Sequence, residues 1–206
     1  MSGGGQLRLS GGRRLLSPGG RTARPTTPRV REAVMNILAP HLQDCRWHDL
    51  CSGRGVMGWE ALQRGASCVV AVDQDPQCIR VSHSNLSAVA ASRSPAPEIR
   101  TERRELISWL RKGWSQEPFD IVYFDPPYDQ GLYEPSLNAL VKGNWIHEAS
   151  LVVCEHRSNL NPEPISNLRV VDQRRYGISS VMLLSPQERF HHGGTDSMPP
   201  RKDPSA

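Results

Sequence analysis

The strongest chemical signal in the chain is four consecutive residues, Asp125-Pro126-Pro127-Tyr128. They follow Phe119-Asp120-Ile121-Val122-Tyr123-Phe124, an apolar run that reads as a buried strand. The two prolines fix an extended backbone through their own φ and through the restriction on the residue before each. An amino group attached to an aromatic ring is a weak nucleophile, because its lone pair is delocalised into the ring. The Asp125 carboxylate and the Pro126 carbonyl oxygen can each accept one of its N–H bonds and aim the lone pair at an electrophile. As positive charge grows on the nitrogen, both acceptors stabilise it more than they stabilised the neutral amine. Tyr128 adds a ring on which a flat base can stack. Asp-Pro and Pro-Pro are also ordinary turn dipeptides, so the motif draws its force from the strand before it and from a second site upstream.

That second site is Asp49-Leu50-Cys51-Ser52-Gly53-Arg54-Gly55-Val56-Met57-Gly58. Glycines permit a sharp turn and a close approach of ligand to backbone. The turn leads into a helix N-terminus, whose free N–H groups and positive dipole end favour a carboxylate or phosphate. A Gly-x-Gly-x-x-Gly triplet alone is weak evidence, but an apolar strand follows and ends at Asp73, an acid placed to accept from both ribose hydroxyls of an adenosine. Ser52, Gly53, Gly55 and Asp73 are therefore candidate cofactor contacts. Two ligands fit, a nicotinamide dinucleotide or S-adenosylmethionine. Asp49, at the end of the first strand, favours the second: it can meet the methionine ammonium, whereas it would repel a pyrophosphate. Arg54, between the glycines, is unexpected for either ligand.

Positioning these two sites requires alternating strands and helices. Thr27 can cap a helix with Pro28 at its first position, and Val30, Ala33, Val34, Ile37 and Leu38 give it one apolar face before Pro40 ends it. The pattern then predicts strand 46–50, helix 55–64, strand 68–72, a helix from Asp75 or Pro76 to about residue 88, strand 98–101, helix 104–112, strand 119–124, helix 132–141 and strand 150–154. Residues 168–173 and 178–184 close the chain as a hairpin turning near Tyr176-Gly177. This alternation implies an α/β fold with a mostly parallel sheet, helices on both faces and an antiparallel end. Residues 1–24 form a basic arm with a possible short hairpin at Gly11-Gly12, residues 25–185 the main domain, and residues 186–206 a tail expected to be disordered.

The chain has 206 residues, enough for one domain with a substantial core. No apolar run reaches the length of a membrane span, and the N-terminus lacks the apolar core of a secretory signal, which sets a cytoplasmic expectation. The five cysteines contain no Cys-x-x-Cys and read as reduced, packed thiols; no metal site is expected. Seven arginines and no acid precede Glu32, so the rest of the chain carries a net −3 against a total of +4. A basic segment on a mildly acidic body points to a polyanion contact. Arg24, Arg29 and Arg31 are the candidates for RNA backbone contacts, although Arg31 and Glu32 can equally form local helix pairs.

With these motifs on the page, the chain resembles the RsmD-type methyltransferases, which make N2-methylguanosine in bacterial small-subunit (16S) ribosomal RNA. The resemblance covers roughly residues 7–185. It rests on Arg24-Pro25-Thr26 with Arg29-Val30-Arg31-Glu32, the block 49–66, Asp73, Asn85-Leu86, Asp125 to Tyr128 and Tyr176-Gly177. It implies a seven-stranded class I S-adenosylmethionine-dependent methyltransferase fold with an N-terminal hairpin extension. It also implies cofactor contacts at Asp49, Gly53, Gly55 and Asp73, the target amine at Asp125, Pro126, Pro127 and Tyr128, and rRNA presented in an assembling ribosomal particle. Glu105 stands where the family places an acid on the adenine amino group, usually aspartate. The Asp-Pro-Pro-Tyr motif itself is shared with DNA adenine methyltransferases, and protein glutamine methyltransferases carry a close variant. A nicotinamide-dependent oxidoreductase would leave that motif unexplained, and a non-catalytic RNA-binding chaperone predicts that Asp125→Ala leaves function intact.

Overall fold

The computed structural model describes residues 26–127, 131–160, 165 and 167–187. The basic arm, Arg24, Tyr128 and the C-terminal tail from residue 188 lie outside the described residues.

Helix α1 (Pro28–Leu38) begins as its sequence requires, with Thr27 Oγ1 accepting from the Val30 amide at 3.3 Å. A single 3₁₀ turn (Ala39–His41) leads to strand β1 (Arg46–Leu50). Then follow α2 (Val56–Gln63), β2 (Cys68–Asp73), α3 (Pro76–Ala90), β3 (Glu98–Arg103), α4 (Leu106–Leu110), β4 (Phe119–Phe124), α5 (Tyr133–Lys142), β5 (Ile146–Arg157), β6 (Leu168–Tyr176) and β7 (Ser179–Pro186). Asp75 and Pro76 share the start of α3: Asp75 caps it, accepting from the Gln77 and Cys78 amides at 2.6 and 3.1 Å, and Pro76 takes the first turn.

The seven strands form one sheet in the order β3-β2-β1-β4-β5-β7-β6. The first five run parallel, and β7 pairs antiparallel with both β5 and β6. The order reverses between β1 and β4, so the carboxyl ends of these neighbours flank a crevice where open α/β sheets bind ligands. Strand β5 is longer than its pattern predicts, because its outer half is zipped to β7 from Val152 to Arg157 and extends past the end of β4. Helix α4 is shorter than predicted: Glu105 caps it, accepting from the Ile107 and Ser108 amides at 3.1 and 2.8 Å, so Arg104 and Glu105 stay outside the helix.

Alternate residues of the strands feed two cores. Trp47, Val69, Ala71, Ile121, Tyr123 and Val153 pack with α1, α2 and α3 on one face. Leu50, Val70, Val122, Phe124 and Val152 pack with α4 and α5 on the other. His48 belongs wholly to this second face. Its ring stacks on Phe119 and Trp145 at 4.5 and 5.4 Å between centroids, and Nδ1 donates to the Val70 carbonyl at 2.8 Å. Burial pushes its pKa down to about 4, so the imidazole is a neutral core ring.

Candidate active site

The glycine turn is held by its own backbone and by two acids. The Ser52 amide donates to the Val72 carbonyl at 2.9 Å, which ties the end of β1 to the end of β2. Cys51, Gly53 and Gly55 all have left-handed φ, at 58°, 52° and 69°. Gly55 must be glycine twice over, because a Cβ there would also lie 2.4 Å from Ser82 Oγ. At Gly53 a Cβ would meet nothing within 4 Å; that space belongs to the cleft. Asp49, only 2% exposed, accepts from the Gly58 amide at 3.0 Å and so anchors the first turn of α2. Burial raises its pKa to about 8, with the Gly58 hydrogen bond opposing. Asp73 Oδ2 accepts from the Gly53 amide and Oδ1 from the Asp75 amide, both at 2.9 Å.

Asp125 follows the last residue of β4, which pairs with Leu50 of β1, so the turn and the acid emerge side by side. The Thr26 hydroxyl approaches Asp125 Oδ2 at 3.5 Å, laying the start of α1 across the site. A cleft of about 590 Å³ joins the two halves, lined among others by Thr26, Asp49, Ser52, Gly53, Asp73, Glu105, Asp125, Pro126 and Pro127. The structure thus brings together every described candidate cofactor and amine residue except Gly55, whose place is the cap of α2 behind the cleft wall.

Six carboxylates (Asp49, Asp73, Asp75, Glu105, Asp125, Glu155) and three guanidinium groups (Arg54, Arg104, Arg157) line this cleft. Even with Asp49 protonated, the balance favours a cationic ligand and opposes a pyrophosphate. The acid-rich lining therefore fits a cationic cofactor such as S-adenosylmethionine better than a dinucleotide. Arg54, unexplained by the sequence, lies at the edge of this cleft, and its carbonyl accepts from Asn85 Nδ2 at 3.0 Å.

One expectation is corrected. Arg31 is not a surface cation for RNA: it is buried, and its Nε meets Glu60 Oε1 at 2.9 Å. Glu60, 1% exposed, also pairs with Arg64. Arg31 is therefore not available to phosphate, and its partner is on α2 rather than the neighbouring Glu32. Arg29, by contrast, is exposed on the first turn of α1.

Other site residues carried no role in the sequence reading. Glu155 is 3% exposed, accepts from the Tyr123 hydroxyl at 2.9 Å through Oε2, and its carbonyl accepts from the Tyr133 hydroxyl. The signal for it was present: an acid ending the apolar run Leu151-Val152-Val153-Cys154 is expensive to bury without a partner. Arg157, two residues further and on the same face, also lines the cleft.

A mixed sheet with this order, a glycine bend followed by an acid at the end of β2, and the Asp125-Pro126-Pro127 turn after β4 fit the class I fold of S-adenosylmethionine-dependent methyltransferases. Comparison with known proteins agrees and narrows it. The family described as "Conserved hypothetical protein 95" matches residues 4–185, and the chain belongs to this family, which is the RsmD family. The ribosomal RNA small subunit methyltransferase D of Escherichia coli (strain K12) is 35% identical over 159 residues, covering 75% of this chain and 76% of the relative. The putative rRNA methyltransferase YlbH of Bacillus subtilis is 28% identical, covering 84% and 92%. Among solved structures, the putative methyltransferase yhhF from Escherichia coli superposes with a TM-score of 0.74 at 31% identity, covering 89% of this chain and 99% of that one.

Proposed function

We propose that this protein transfers a methyl group from S-adenosylmethionine to the exocyclic N2 amine of a guanine in small-subunit (16S) ribosomal RNA. The observation that carries the reading is that Asp125 and the Gly53–Asp73 pair line one cleft. Bound cofactor would supply an electrophilic methyl on a sulfonium, whose C–S bond would break as the methyl leaves and give a neutral thioether. The chain's own residues do the rest. Asp73 faces the ribose, Asp49 the ammonium, and Glu105 the adenine edge. Asp125 and the Pro126 carbonyl accept the two N–H bonds of the guanine amine and hold its lone pair toward the methyl. Tyr128 stacks on the base. As the new N–C bond forms, charge on nitrogen is met by the Asp125 carboxylate, and loss of one N–H proton to that carboxylate or to water restores a neutral amine. Orientation and electrostatics suffice, with no covalent enzyme intermediate.

An rRNA base rather than DNA or a glutamine amide is favoured by the relatives, which are named small-subunit rRNA methyltransferases, and guanine is the base that the RsmD resemblance implies. Arg24 and Arg29 contact the RNA backbone, and the target guanosine is splayed out of its stack to reach the cleft. The substrate is rRNA within an assembling particle, which places the protein in the cytoplasm. The test is nucleoside mass spectrometry of small-subunit rRNA from a strain lacking the gene. Loss of N2-methylguanosine that returns on complementation is expected; an unchanged set of methylated guanosines refutes the assignment.

A further inference from the structure

The antiparallel end of the sheet has no task in the chemistry above, yet it is bound to the active-site rim. The last residue of β5, Arg157, lines the cleft and pairs in register with Ser179, the first residue of β7. The turn between β6 and β7 is then stitched to the residues after Arg157. Ser158 N donates to the Ile178 carbonyl at 2.9 Å, and Ser158 Oγ donates to the Gly177 carbonyl at 2.9 Å. At the apex Ile178 is 63% exposed, an unusual place for a β-branched apolar side chain. Exposed Arg175 folds back over the turn, with Nε donating to the Gly177 carbonyl at 3.2 Å. Cross-strand partners share a face, so Arg157, opposite Ser179 and Tyr176, stands on the cleft side of the sheet; Arg175, opposite Ser180, stands on the other. Arg157 at the cleft rim and Arg175 on the opposite face of the sheet therefore flank an apolar apex. Residues 173–180, around Arg175, contain no acid. Neighbouring Arg174 differs, because its Nε is held by Asp172 at 2.8 Å.

We infer that the β6–β7 turn is a second RNA-binding element, which receives the strand that leaves the cleft. The inference rests on the RNA reading above and adds to it. Arg157 and Arg175 engage phosphates on the two sides of the rim, and Ile178 lies against the base left without a stacking neighbour when the target is splayed out. Opposite charge and adjacency to the site select nucleic acid over a ribosomal protein as the partner.

The test uses the full-length protein and small ribosomal subunits isolated from a strain lacking the gene. Arg175→Ala is expected to raise both Kd and KM for the particle roughly five- to tenfold, to leave kcat within about twofold, and to lower the slope of log Kd against log salt by about one. Ile178→Ser is expected to weaken binding with the salt slope unchanged. Both residues are solvent-facing, and cofactor affinity equal to wild type checks that the variants are folded. A photocrosslinking phenylalanine analogue at position 178 is expected to attach to rRNA. Wild-type Kd and KM in both variants, or crosslinks to ribosomal protein alone, overturn the proposal. If the wild-type protein methylates no guanine, the functional reading fails, while the Kd values and crosslinks still decide the role of the turn.

Discussion

The Asp73 carboxylate accepts a hydrogen bond from the Gly53 amide at 2.9 Å, joining residues twenty positions apart at the floor of the cleft. The same carboxylate holds the Asp75 amide, so it sets the shape of both loops as well as offering lone pairs to a ribose. Asp73→Ala is therefore expected to weaken S-adenosylmethionine by about 2 to 3 kcal/mol, a roughly 30- to 150-fold rise in Kd. Isothermal calorimetry measures this directly, and a Kd within twofold of wild type would show that the ribose is held elsewhere.

Asp125 plays a different part, because it faces the amine rather than the cofactor. Asp125→Ala is expected to lower kcat by at least about 100-fold, the scale of one lost transition-state acceptor. Cofactor affinity should stay within about twofold. Equal losses in kcat and in cofactor binding would mean that Asp125 supports the pocket rather than the reaction.

Asp49 predicts a pH dependence. Its carboxyl is held protonated up to about pH 8 by burial. An ammonium placed beside it favours the ionised form, so cofactor binding displaces a proton. Below pH 8 that proton opposes binding, and affinity falls as pH falls; above pH 8 the effect ends. Asp49→Asn removes this contribution. Calorimetry in two buffers of different ionisation enthalpy at pH 7 is expected to show greater proton release in wild type than in Asp49→Asn. Identical proton release in the two proteins would count against this role for Asp49.

The buried pair of Arg31 and Glu60 makes a stability prediction instead of an RNA one. Arg31→Met leaves Glu60 short of a partner in the core and is expected to cost about 3 kcal/mol, a fall in Tm of roughly 6–12 °C. Arg29→Ala, at an exposed position, should change stability by less than about 0.5 kcal/mol. Thermal unfolding of both variants checks the contrast; equal melting of Arg31→Met and wild type would refute it.

Much of this was legible in the chain. The periodicity of Val30 to Leu38 and the apolar run Phe119 to Phe124 appear as α1 and β4 where the pattern places them, because local hydrophobic spacing decides which face a residue buries. Element ends were less legible. The length of β5 depends on β7, its partner from a distant part of the chain, and the start of α4 depends on whether Glu105 joins the helix or caps it. Glu155 was visible only as an oddity in an apolar run. Its partner Tyr123 lies 32 positions away, and no local rule predicts that meeting.

The sequence by itself determined the chemistry on offer: an acid and two prolines after a buried strand, and a glycine bend followed by an acid one strand later. Residue type and short spacing suffice for that, because hydrogen-bonding capacity and backbone freedom are local properties. Only the tertiary structure decided which groups act together. Strand order placed β1 beside β4 and so put Asp125 at the Gly53 bend. Helix packing took Arg31 out of solvent to Glu60, and the antiparallel end carried the β6–β7 turn beside the residues that follow Arg157. Those outcomes come from long-range burial and pairing, which no window of neighbouring residues contains.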